Sequence, residues 1–164
     1  MQHSQPSLRT ARSVVGALFI APLVFFGLVS FLIGRFGGGL LPPDSGFTAR
    51  TALWIWLAIA VGCVVIALTM RNRVVARVDE ARFVTDPGEA SATLADVQTR
   101  LIIAASLFEM AALVAGVFFL LFAASDFLWV GLATLAVGVA TVFPRAEWFE
   151  SLERARDAGR AEAR

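Results

Sequence analysis

The sequence predicts an all-α integral membrane protein: a four-helix bundle over residues 1–144 and a cytoplasmic or interfacial amphipathic helix over 145–164. Three observations carry that expectation. Of 164 residues 58% are hydrophobic and 16% charged, where a soluble domain has about a quarter of its residues charged. Four apolar segments, 13–34, 51–70, 101–124 and 127–143, meet or approach the roughly 20 helical residues that cross a bilayer core. Twelve of the fourteen arginines lie outside the spans on one predicted side, in the N-terminal tail, the second connection and the C-terminal tail.

The first segment follows Arg9 and Arg12 and exceeds the ~7–15 apolar residues of a secretory signal core, with no small-residue cleavage pattern closing it. It is therefore expected to remain as a span. The connection from Arg35 to Arg50 contains Gly37, Gly38, Gly39, Pro42 and Pro43 and reads as a loop. The inner connection 71–100 reads as helical, because Asp86, Pro87, Gly88 and Glu89 stand in capping-box order, so a helix should start near Pro87 and run on into the third span. A turn as short as Ala124-Ser125-Asp126 makes the third and fourth spans antiparallel neighbours. In the tail, Glu150 with Arg154, Glu153 with Arg156 and Asp157 with Arg160 have the spacing of neighbours on a solvated helix.

Positively charged loops resist export, so the arginine distribution places both termini in the cytoplasm of a bacterial inner membrane. Trp54, Trp56 and Trp129 at the outer span ends and Trp148 at the inner side are expected as interfacial anchors.

Charge and residue inventory exclude several function classes. A net charge of +1 gives no basic footprint for nucleic acid. One cysteine, Cys63, and one histidine, His3 in the tail, cannot build an intramolecular disulfide, a thiolate zinc site, an iron–sulfur cluster or a triad within the membrane. No enzyme, metal or cofactor is expected; an apolar cofactor or lipid, which needs no titratable ligand, stays open.

The two halves of the chain also share a pattern. Ala17-Leu18-Phe19 with Gly27 matches Ser106-Leu107-Phe108 with Gly116, and Leu53, Trp54, Leu57 and Ala58 match Leu128, Trp129, Leu132 and Ala133. A duplicated helical hairpin is expected.

Glu109 is the one acid placed well inside a span. An acid at mid-depth costs about 2.5–3.5 kcal/mol on insertion scales and as a rule faces protein or water. Ala105, Glu109, Ala112 and Gly116 recur at four, three and four, which sets them near one stripe of a helix where another helix can approach closely. Glu109 is thus expected to face the bundle or a subunit interface. No span supplies a cation, so desolvation favours the neutral acid. Ser30, Thr134, Thr141 and the carbonyls freed near Pro22 are the groups expected to bond it.

Arg100, Glu109, Ala112 and Gly116, with an acidic-basic tail after Pro144, give the chain a pattern that resembles small uncharacterised four-helix bacterial membrane proteins. Residues Ala105 to Val117 are also similar to the carboxylate helix of rotary ATP synthase proteolipids. That resemblance implies a proton or cation bound at Glu109. Span two departs from it, having no repeated-glycine helix.

The expected role is a non-enzymatic accessory or scaffold subunit, embedded in the lipid bilayer and packing with copies of itself or with other membrane subunits. Ion translocation through Glu109 is the alternative, and a small-solute exporter the second. An enzyme would need a surface site such as Arg35, Asp44 and Arg50. The inner Arg71, Arg73 and Arg77 are placed to attract anionic lipid, but Asp79 and Glu80 follow directly, and the cluster reads as a topology signal.

Overall fold

Each long apolar segment folds as a helix, the conformation in which a segment satisfies its own backbone polar groups without water. A computed structural model describes residues 8–41, 46–80, 87–147, 149, 150 and 154. They form α1 (Leu8–Phe36), α2 (Ala49–Glu80), α3 (Pro87–Phe122) and α4 (Ser125–Val142), all four long and apolar enough to cross a membrane. Pro22 is buried inside α1 and does not end it. The helix expected from Pro87 into the third span is continuous.

Helices α2 and α3 outrun their apolar segments. With 32 and 36 residues they extend roughly 48 and 54 Å, against a core of about 30 Å. The excess lies at the arginine-rich end, where the hydrophobic seam continues. Val74 and Val78 of α2 are buried in one cluster with Leu94, Val97 and Leu101 of α3. On α3 the buried positions 94, 97, 101, 104, 108, 111 and 115 alternate steps of three and four, the spacing of a heptad seam.

Helix α3 is the centre of the assembly. It packs against α1, α2 and α4, whereas α4 touches α1 and α2 lightly and α1 and α2 scarcely meet. The two expected hairpins are therefore packed unlike each other: α3 and α4 lie together, and α1 and α2 are joined through α3.

Aromatic knobs from α1 fill glycine notches. A Cβ at Gly138 would lie 2.7 Å from Phe19 and 2.8 Å from Phe108, and one at Gly116 would lie 2.7 Å from Phe25. Ala105, Ala112 and Gly116 are buried, as a packing face requires.

At the opposite end from the arginines, the loop after α1 closes over the end of α3. Leu40 and Leu41 donate their backbone N–H groups to the carbonyls of Leu120 (3.1 Å) and Leu121 (2.9 Å), which a helix C-terminus leaves without intrahelical partners. Gly39 permits this approach, since a Cβ there would overlap the Leu121 carbonyl. The rings of Phe47, Phe118, Phe122 and Phe127 cluster beside it, with adjacent centroids 5.5–6.5 Å apart. Ala123 turns the chain at a positive φ of 53°, and α4 begins two residues later. At the arginine-rich end, Arg12 Nε donates to the Pro144 carbonyl at 3.2 Å and ties the start of α1 to the end of α4.

Most of the expected C-terminal helix, Trp148 and the Asp86 cap lie outside the described residues. Of the tail pairs, Arg154 Nε donates to the backbone carbonyl of Glu150 at 3.1 Å.

Candidate functional site

Three sides of α3 are occupied by neighbouring helices, and the fourth is open between α1 and α2. On that side Ile103, Met110 and Val117 recur every seven residues and are 43%, 46% and 45% exposed. Glu109 is half-buried at the edge of this stripe. With Ser106, Met110, Leu113, Val114 and Val117 it lines a concavity of about 410 Å³ built from α3 alone.

The expectation that Glu109 shares the packed stripe of Ala105, Ala112 and Gly116 needs correction. Four residues carry a helix about 40° past a full turn, so Glu109 stands on the flank of that stripe. Gly116 takes Phe25 and Phe26 of α1, and the carboxyl lies beside the stripe on the uncovered side. Its position leaves it to whatever lies against α3 there.

None of the expected hydrogen-bond partners reaches it. Thr134 Oγ1 donates to the Val130 carbonyl at 2.8 Å, and Thr141 Oγ1 to Val137 at 2.7 Å. Ser30 is exposed on α1. Both threonines return their protons to their own helix, the usual outlet for a hydroxyl within one. Glu109 makes no side-chain hydrogen bond or ion pair among the described residues.

The tryptophans divide. Trp54 and Trp129 are 64% and 67% exposed, the disposition an interfacial anchor needs. Trp56 is turned inward, 7% exposed, and its indole N–H donates to the Ala111 carbonyl at 2.9 Å. Its expected place in an aromatic belt gives way to a helix-to-helix contact. Position 56 falls on the buried α2 face with Ala52, Ala60 and Cys63, spacings of four, four and three that mark it in hindsight.

A second concavity, about 360 Å³, lies between α2 and α4 over Phe108. Its walls are apolar, and its two polar atoms, Trp56 Nε1 and Thr134 Oγ1, are engaged with backbone carbonyls. An acyl chain or apolar ring would find shape there and no polar handle. Near the far end, Arg50 and Asp126 line a smaller concavity of about 240 Å³, while Asp44 lies outside the described residues. Among the described residues no group of three His, Cys, Asp or Glu side chains is placed to hold a metal.

The open flank of α3 thus combines a carboxyl within a long apolar helix with a heptad stripe that no described helix covers. Such a surface suits helix association or an exchangeable proton. No protein-family model, curated protein or solved structure matches this chain.

Proposed function

We propose that the protein is a non-enzymatic accessory or scaffold subunit of the bacterial inner membrane, with both termini cytoplasmic, which packs through the open flank of α3 with a copy of itself or with a larger membrane complex. One observation carries the reading: among the described residues Glu109 makes no side-chain hydrogen bond or ion pair, and it stands on a face that the other three helices do not cover. Facing lipid, the carboxyl is costly; against a second helix it gains a hydrogen bond and the Ile103, Met110, Val117 stripe gains packing. Small and polar residues associate helices in membranes by these contacts.

Cysteine crosslinking in native membranes tests this reading. In a Cys63→Ser background, Met110→Cys should give an oxidised product of twice the chain mass or of chain plus partner, and Val24→Cys on the exposed side of α1 should not. Equal yields at both positions, or none at position 110, would sink the proposal.

A second reading, ion translocation through Glu109, is supported by the same carboxyl being half-exposed and unbonded among the described residues. It requires Glu109→Gln to abolish proton or cation flux in proteoliposomes while the protein still folds; unchanged flux removes it.

A further inference from the structure

The arginine-rich end holds a feature that the proposed function leaves unused. Along α2, Arg73, Ala76, Arg77 and Glu80 recur at three, one and three and so share one stripe, on the opposite flank from buried Val74 and Val78. Arg100 comes alongside from α3. Together these five residues line a concavity of about 390 Å³. Arg71, the first arginine of the sequence cluster, is absent from the lining; its Nε is buried and unbonded among the described residues.

The guanidinium groups are only partly committed. Arg100 bonds Asp96 Oδ2 through Nε at 2.8 Å, which leaves both its Nη groups outside that pair. Arg77 Nη1 meets Glu80 Oε2 at 3.2 Å on the exposed rim. No hydrogen bond or ion pair engages Arg73 among the described residues. Three guanidinium charges thus face one lining carboxylate.

Depth adds a second constraint. The apolar runs stop at residue 70 and resume at 101, so Arg100, Arg73 and Arg77 stand roughly 1.5, 4.5 and 10.5 Å beyond the hydrocarbon edge along their helices. The headgroup layer occupies about 5–7 Å outside each edge. Phosphate oxygens in that layer are acceptors at the level of Arg73 and Arg100, with Arg77 a few ångströms farther out on a long side chain, and planar guanidinium forks match phosphate geometry.

We propose that the Arg73, Arg77 and Arg100 concavity is a phosphate-binding site, taking the phosphate of an anionic phospholipid headgroup or a free phosphate ion. Neither the arginine-biased topology nor the α3 interface requires it, since both would operate with the same charges dispersed over the loop. Glu80 at the rim limits the anionic charge that the site accepts and supplies an acceptor for a headgroup hydroxyl.

The test uses the full chain purified in detergent, with phosphatidylglycerol, phosphatidylcholine and inorganic phosphate as probes. Native mass spectrometry should show phosphatidylglycerol retained about fivefold or more over phosphatidylcholine, with the preference lost in Arg73→Gln/Arg100→Gln and kept in Arg9→Gln/Arg50→Gln. Glu80→Gln should strengthen it, a change opposite to any loss of fold. Millimolar inorganic phosphate that displaces phosphatidylglycerol and raises the melting midpoint of the wild type alone assigns the site to free phosphate; failure to displace it assigns the site to the lipid headgroup. The proposal is overturned if Arg73→Gln/Arg100→Gln keeps the preference, if the Arg9/Arg50 control loses it equally, or if the wild type shows neither lipid preference nor a phosphate-dependent midpoint.

Discussion

The indole nitrogen of Trp56 and the carbonyl oxygen of Ala111, 55 residues apart in sequence, meet in a buried hydrogen bond of 2.9 Å. It joins the second turn of α2 to the C-terminal half of α3, where the surroundings are otherwise apolar. Replacing Trp56 by Phe keeps most of the ring and removes the bond. We expect a loss of about 1 kcal/mol, since interhelical hydrogen bonds in membranes are worth about 0.6–2 kcal/mol. Trp56→Ala should cost about 3–5 kcal/mol through the cavity left behind. Unfolding in mixed micelles reads both, and equal losses for the two variants would mean that the bond contributes nothing separable.

The glycines divide into two classes that a single added methyl distinguishes. At Gly138 a Cβ would press on Phe19 and Phe108, and at Gly131 on Phe26. Gly→Ala at either should destabilise by about 1–3 kcal/mol, the ordinary cost of overpacking. Gly16, Gly27 and Gly62 have nothing within 4 Å of such a Cβ, so Ala there should stabilise its helix by up to ~1 kcal/mol. A melting series over the five variants checks the split; the same sign at Gly138 and Gly62 would contradict the packing described.

Gly39 is a different case, because the obstacle is backbone. Its Cβ would overlap the Leu121 carbonyl that accepts from Leu41. Gly39→Ala should displace the loop and free the carbonyls of Leu120 and Leu121. Faster amide exchange at Leu40 and Leu41, with Val29 and Leu101 unchanged, is the expected signature.

The bond from Arg12 to the Pro144 carbonyl places the start of α1 and the end of α4 at one end of the molecule. Reporter fusions at the two termini should therefore give the same compartment, the cytoplasm by the arginine bias. Opposite readouts would refute the arrangement of the four helices.

Four helices, the continuous run from Pro87 and the turn near Ala124 were legible in the sequence, because apolar length and turn residues act locally. The packed stripe of Ala105, Ala112 and Gly116 was legible too, from small residues at helical spacing. The neighbour each face meets was not. Glu109 reads as part of that stripe until α1 is known to place Phe25 and Phe26 against Gly116, which leaves the carboxyl on the flank. Trp56 reads as an interfacial ring because span ends attract tryptophan, and only the presence of Ala111 opposite reveals its other use. The site formed by Arg73, Arg77 and Arg100 depends on two helices meeting across a gap of more than twenty residues, information that no local pattern contains.

The central place of α3 has a consequence for biogenesis. Ribosomes deliver the chain from the N-terminus, so α1 and α2 are made before the helix that both of them pack on. Until α3 emerges, the glycine loop has no carbonyls to cover and Trp56 has no acceptor. Assembly is thus deferred to the second half of translation, and a nascent chain halted before Pro87 would hold two helices with almost no surface in common.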